Sequence, residues 1–169
     1  MNIFYLDSDP VKSAELHCDK HVVKMIIEYA QLMSTAHRVL DGDLYEDRTA
    51  NNHRIKRWRL SDSNMENVVY KASHINHPSA IWTRASDSNY QFVYDMFVAL
   101  CNEYTHRYGR VHLTEEKLKD LLQHLPNNIA SADFVEPPQA MPDDVKTSNA
   151  VDAYQNYYRV YKKDFAKWT

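Results

Sequence analysis

The run from Pro10 to Leu40 constrains this chain more than any other stretch. Val22, Val23, Ile26, Ile27, Ala30 and Met33 recur there with the three-to-four-residue step of an α-helix. Asp9-Pro10 supplies a start signal, an acid that can cap first-turn amides followed by a proline already fixed at a helical φ. One helix from about 10 to 40 is expected, preceded by residues 2 to 6 (NIFYL) as a short strand or extended strap.

Similar periods recur downstream. Trp82, Tyr90, Val93, Tyr94, Phe97, Leu100, Cys101 and Tyr104 mark a second long helical stretch, with a start capped by Asn76, a break near Asp87 and a stop at Gly109. Thr114 resembles the cap of a shorter helix through Leu118, Leu121 and Leu122, and a last helix is expected from about Ala150 to Lys167. The Pro-, Asp- and Asn-rich segment 126–147 reads as loop. GDLYEDRTANNHRIKRWRL, with no clean period, reads as a polar loop with a short helix near its end. Only two glycines among 169 residues leave few tight hairpins, so the expected fold class is all-α: a compact single-domain helical bundle over residues 1–169, with an extended N-terminal strap and long loops.

A composition of 44% apolar and 25% charged residues is that of a globular chain, and no segment approaches eighteen consecutive apolar residues, so no membrane partner is expected. Cys18 and Cys101 lack metal-ligand spacing and disulfide density, which favours a reducing, cytoplasmic location. No obligate protein partner is inferred. The formal charge of -3 excludes a chain coated with cations, yet Arg48, Arg54, Lys56, Arg57 and Arg59 fall together without an acid, and Arg159, Lys162, Lys163 and Lys167 cluster near the end.

His17, His21, Lys24 and Glu28 step by four, three and four, and Gln31 and Thr35 extend the series, so all six fall on one helical stripe. Glu28 interrupts the apolar run MIIEYAQLM, where a buried carboxylate without a partner would be costly; it is a candidate general acid or base. Lys24 or a histidine could face a phosphate. Alternatively His17 and His21 could ligate a metal from adjacent turns, completed by Glu28, His74 or His77. A second cluster, SHINHPSAIWTRASDSNY, gathers His74, Asn76, His77, Trp82 and Arg84 at a loop-to-helix junction, where free amides and a guanidinium suit a phosphate and Trp82 could stack on a base. RIKRWRL interleaves Trp58 with cations, again compatible with phosphates and stacking.

Three ordered blocks, the strap entering KHVVKMIIEYAQLM, NHPSAIW with a long helix ending RYG, and the Tyr-, Phe- and Lys-rich C-terminal segment, resemble the pyrimidine-dimer DNA glycosylase/AP-lyase family over about half the chain. The resemblance implies DNA as partner, damaged or modified pyrimidines as substrate, and no metal or cofactor. It implies an α-amino group, of Met1 or of a processed chain's Asn2, that attacks the sugar, with Glu28 as the catalytic carboxylate. His21 is a further candidate at the reacting centre, and Lys24, His17, Gln31, Arg57, His77, Arg84 and Lys163 are candidates for DNA contact. Two other readings stand beside it: a metal-dependent hydrolase of nucleotides or nucleic acid built on His17 and His21, and a non-enzymatic helical module that binds nucleic acid or protein.

Overall fold

A computed structural model describes residues 2–169, and in it the expected first helix is divided in two, α1 (Pro10–Leu16) and α2 (Asp19–Asp41). Asp9 caps α1 as expected, accepting from the Val11 amide at 2.9 Å. The division falls at His17 and Cys18, both extended. No proline or glycine breaks the helix there; a tertiary clamp holds the turn. The Arg107 guanidinium donates to the carbonyls of Glu15 and His17 and to the Asp19 carboxylate, satisfying groups that a helix end leaves open.

α4 (Pro78–Ala85) and α5 (Asp87–Tyr108) are separated at Ser86, whose hydroxyl accepts from the Asn89 amide. α5 ends at Gly109, which takes the left-handed φ of 69° that a side chain would strain. α6 (Leu113–Leu122) and α7 (Ala150–Tyr157) complete the long elements, with a short α3 (Ser63–Val68) before α4. Two cap expectations fail in the same way. His77, not Asn76, caps α4, and His112, not Thr114, caps α6; each imidazole accepts the second amide of its helix. The last helix also stops short of Lys167, passing at Tyr158–Lys162 into a π-turn. Segment 126–147 is irregular apart from a 3-10 turn at Asp143–Val145.

The fold is mostly helical, at 55%, and it is not purely all-α. The stretch read as polar loop forms an antiparallel hairpin, β1 (Asp43–Arg48) with β2 (Arg54–Arg59), in register from Asp43 opposite Arg59 to Arg48 opposite Arg54. Neither hairpin face carries the apolar alternation of a sheet packed on a core, which removes the usual period-two signal. α2 packs against α4, α5 and α6, and α1 lies along α5. The strap Ile3–Leu6 is buried in the same core as Met25, Ile26, Tyr29, Phe97 and Tyr154. Among the described residues no helix is long and apolar enough to cross a membrane.

Arg38 makes the largest set of bonds that fix the hairpin and the segment after it to α2, where Ser34 and Thr35 also bond Tyr70 and Ser73. Arg38, 4% exposed, donates to the carbonyls of Trp58, Glu66, Val69 and Tyr70 and to the Glu66 carboxylate at 2.8 Å. Arg38→Ala would leave several buried acceptors and a carboxylate without their donor, a loss of about 3 kcal/mol or more. Urea unfolding is expected to show that loss, with Glu66→Gln losing less than half as much because the backbone acceptors keep their donor.

Candidate functional site

Three hydrogen bonds from two side chains, Tyr29 and Ser13, pin the strap against α1 and α2. The Tyr29 hydroxyl accepts from the Phe4 amide at 3.2 Å, and Ser13 Oγ donates to the Phe4 carbonyl at 2.9 Å while accepting from the Leu6 amide at 3.1 Å. His17 completes the set: its Nδ1 lies 2.6 Å from the Ser13 carbonyl and its Nε2 2.7 Å from the Tyr29 hydroxyl. A carbonyl can only accept, so Nδ1 carries the proton and Nε2 takes the Tyr29 hydrogen. His17 is therefore a neutral, fully used core histidine, pushed down to about 4 chiefly by burial.

His21 has the same character. It is buried, its ring stacks on Phe4 at 4.2 Å, and Nδ1 sits 2.5 Å from the Tyr158 hydroxyl. Burial lowers it to about 3, helped by the nearby His17 ring and by the charges of Lys162 and Lys24. The four-residue step that placed His17 and His21 on one stripe crosses the break between α1 and α2. Both rings are buried, and among the described residues no three His, Cys, Asp or Glu side chains gather to hold a metal.

Of the rest of the stripe, Thr35 is buried against Ser73, while Lys24, Glu28 and Gln31 reach the surface. Lys24 is exposed, and Glu28 and Gln31 are half-buried on the same face of α2. The Glu28 charge is felt on two sides. It adds to the burial that raises the Tyr29 phenol well above its usual range, and at His77 it opposes the lowering caused by burial and by His74. Glu28 thus sits within electrostatic reach of both the tyrosine that pins the strap and the cap of α4. Met1 lies outside the described residues; Asn2 is half-buried at the start of the strap, two residues from the Phe4 amide bound by Tyr29.

Arg84 is half-buried, with Nη2 donating to the Ile75 carbonyl at 2.8 Å and Nη1 buried without a protein acceptor. Trp82 belongs to the core, its indole donating to the Val135 carbonyl, so it offers no stacking face. Arg57 is turned inward and bonded to the Ala72 carbonyl. Lys163 is exposed on the C-terminal segment, but its neighbour Lys162 is the cation that reaches the site. Lys162 lies over the rings of Tyr157 and Phe165, Lys20 lies over Phe165 from the α2 side, and Lys162 acts on His21 together with Lys24. This basic rim unites cations about 140 residues apart in the chain. No local spacing announces Lys162; only its place in a basic C-terminal cluster did.

A concavity of about 410 Å³ lies near the other end of α2, lined by His37, Asp41, Leu60, Met65, Leu121 and His124 among others. His37 is nine residues beyond Glu28, roughly 13 Å along the helix axis, so this cavity is separate from the Glu28 face. Compared with known proteins, the chain matches no family model, no curated protein and no solved structure.

His17, His21 and His37 are all neutral in the fold, with values pushed down to about 4, 3 and 4 against an ordinary value near 6.5. The unfolded chain therefore binds more protons below pH 6.5, and stability rises with pH through that window. The contribution of these rings is full above about pH 6.5 and is lost as pH falls toward 4. Urea midpoints measured from pH 7.5 to 4 are expected to hold steady to about 6.5 and then fall; a flat profile to pH 4.5 contradicts the buried neutral rings.

Proposed function

We propose that this protein is a DNA glycosylase/AP lyase acting on damaged or modified pyrimidines through an imine formed by its α-amino group. The carrying observation is the place of Glu28: a half-buried carboxylate on α2, beside the tyrosine that fixes the strap and one turn from the exposed Lys24. An extended strap held by Tyr29 and Ser13 fixes the backbone two residues after Asn2, and orientation of a nucleophile beside a carboxylate is the main structural demand of such chemistry.

In this reading the amine nitrogen bonds to the sugar C1′ as the bond to the base breaks and the base leaves with a proton. The sugar opens to an imine, and removal of a C2′ proton expels the 3′ phosphate. Glu28 stabilises the sugar cation and moves the protons. The attacking amine is that of Met1 or, after processing, Asn2. In this proposal Lys24 and Lys162 contact phosphates, with Arg84 and His77 as further candidates for DNA contact. His17 and His21 act as positioning residues through the strap, not by touching DNA. No metal enters the scheme.

Borohydride trapping on a duplex with an abasic site, read by peptide mass spectrometry, tests it: the adduct is expected on the α-amine. Glu28→Gln is expected to reduce turnover on a modified pyrimidine by at least a hundredfold, the scale of a lost acid-base group, with the urea midpoint close to that of the unchanged protein. Full activity in this variant removes Glu28 from the mechanism. Lys24→Ala is expected to lower the slope of log affinity against log salt by about 0.9, the value of one phosphate contact.

A further inference from the structure

The hairpin is the one regular element that packs mainly on itself. Pairing opposite residues in register divides its side chains into two faces. Asp43, Tyr45, Asp47, Ile55, Arg57 and Arg59 share one. This face is turned toward the body: Arg57 bonds to the Ala72 carbonyl, Arg59 covers the Tyr45 ring at 4.5 Å, and four of the six are partly covered. Leu44, Glu46, Arg48, Arg54, Lys56 and Trp58 share the other, and all but Trp58 are exposed. It carries three cations against one acid, with Leu44, 57% exposed, beside Trp58 at the root.

Such an element is poorly explained by the protein's own core. An isolated two-stranded hairpin is marginal in water, yet this one is rigidly rooted, with the Trp58 carbonyl held by Arg38 and Arg57 tied to the segment after α3. Its outer face is basic in a chain whose net charge is -3, so the cations are concentrated there against the overall balance. The strands, of six residues each, extend roughly 20 Å, and a two-stranded ribbon is one of the two elements that the major groove of B-form DNA admits.

We propose that the outer face of the β1–β2 hairpin is a duplex-gripping arm. Arg48, Arg54 and Lys56 contact backbone phosphates along a groove, while Trp58 and Leu44 rest on sugar or base edges at the root. The Arg54–Glu46 pair, 3.4 Å apart with both side chains largely exposed, is weak enough to be exchanged for a phosphate. Arg57 acts as the root of the arm and not as a contact. The inference rests on the nucleic-acid partner of the proposed function but not on its imine chemistry.

The test is fluorescence anisotropy on a lesion-free 25-base-pair duplex across a salt series, comparing the unchanged protein with R48A/R54A/K56A and with the charge-keeping R48K/R54K. Three lost phosphate contacts are expected to lower the salt slope by about 2.7, at about 0.9 each, while R48K/R54K keeps the slope. A second reading needs no charge removal: Leu44→Cys labelled with a photocrosslinker is expected to crosslink to the duplex, the native Cys18 and Cys101 being buried. An unchanged slope in the triple variant, no crosslink from position 44, or equal competition by a single strand overturns the arm. Failure of the proposed function is read separately, as loss of the borohydride adduct at an abasic site with the salt slope intact.

Discussion

The hydrogen bond between His17 and Tyr29 ties the strap, α1 and α2 together. It joins the turn between α1 and α2 to the middle of α2, and through the Tyr29 hydroxyl it reaches the Phe4 amide. Each group in the set has a partner of the right kind: Ser13 closes the strap from the other side, and the His17 ring is neutral so that one nitrogen donates and the other accepts. Buried polar groups cost free energy unless every donor and acceptor is used, and a network that meets this condition specifies one geometry. The strap is therefore placed by polar contacts inside an apolar core, a more exacting restraint than burial of Ile3 and Leu6 alone.

The same logic governs the two arginines that join distant segments. Arg107 reaches from the last turn of α5 to the α1–α2 turn, and Arg38 reaches from α2 to the hairpin and the α3 region. In each case a planar guanidinium satisfies carbonyls that irregular backbone leaves open. Function in this protein is then a matter of what these clamps leave outside. Glu28, Lys24 and Gln31 remain accessible on α2, the C-terminal segment brings Lys162 over Tyr157 and Phe165 within electrostatic reach of His21, and the hairpin carries its cations outward.

Helical content was legible where apolar side chains recur at helical spacing, as through Val22–Met33 and Tyr90–Tyr104, and where backbone chemistry is special, as at Asp9-Pro10 and Gly109. Glu28 stood out for a related reason, since a carboxylate set within an apolar run has to be accounted for, and the structure leaves it half-buried on α2. The hairpin was not legible. Its two faces are both polar, so no period-two signal exists, and the turn at Asn52 adopts a positive φ without a glycine to mark it. His77 and His112 escaped notice as caps because histidine carries weaker sequence evidence for that role than Asn or Thr beside it.

By itself the sequence determined the periods: which stretches are helical, which residues share a helix face, and that Glu28 and Lys24 lie on one stripe. Those follow from local geometry, which repeats every 3.6 residues whatever the chain does elsewhere. Only the tertiary structure decided that His17 and His21 turn inward, that the first helix breaks at Cys18, and that Lys162 joins Lys24. The reason is physical: a ring nitrogen's role, a helix break without proline or glycine, and a basic rim each depend on partners far away in the chain, such as Tyr29, Tyr158 and Arg107. Spacing carries no information about those partners.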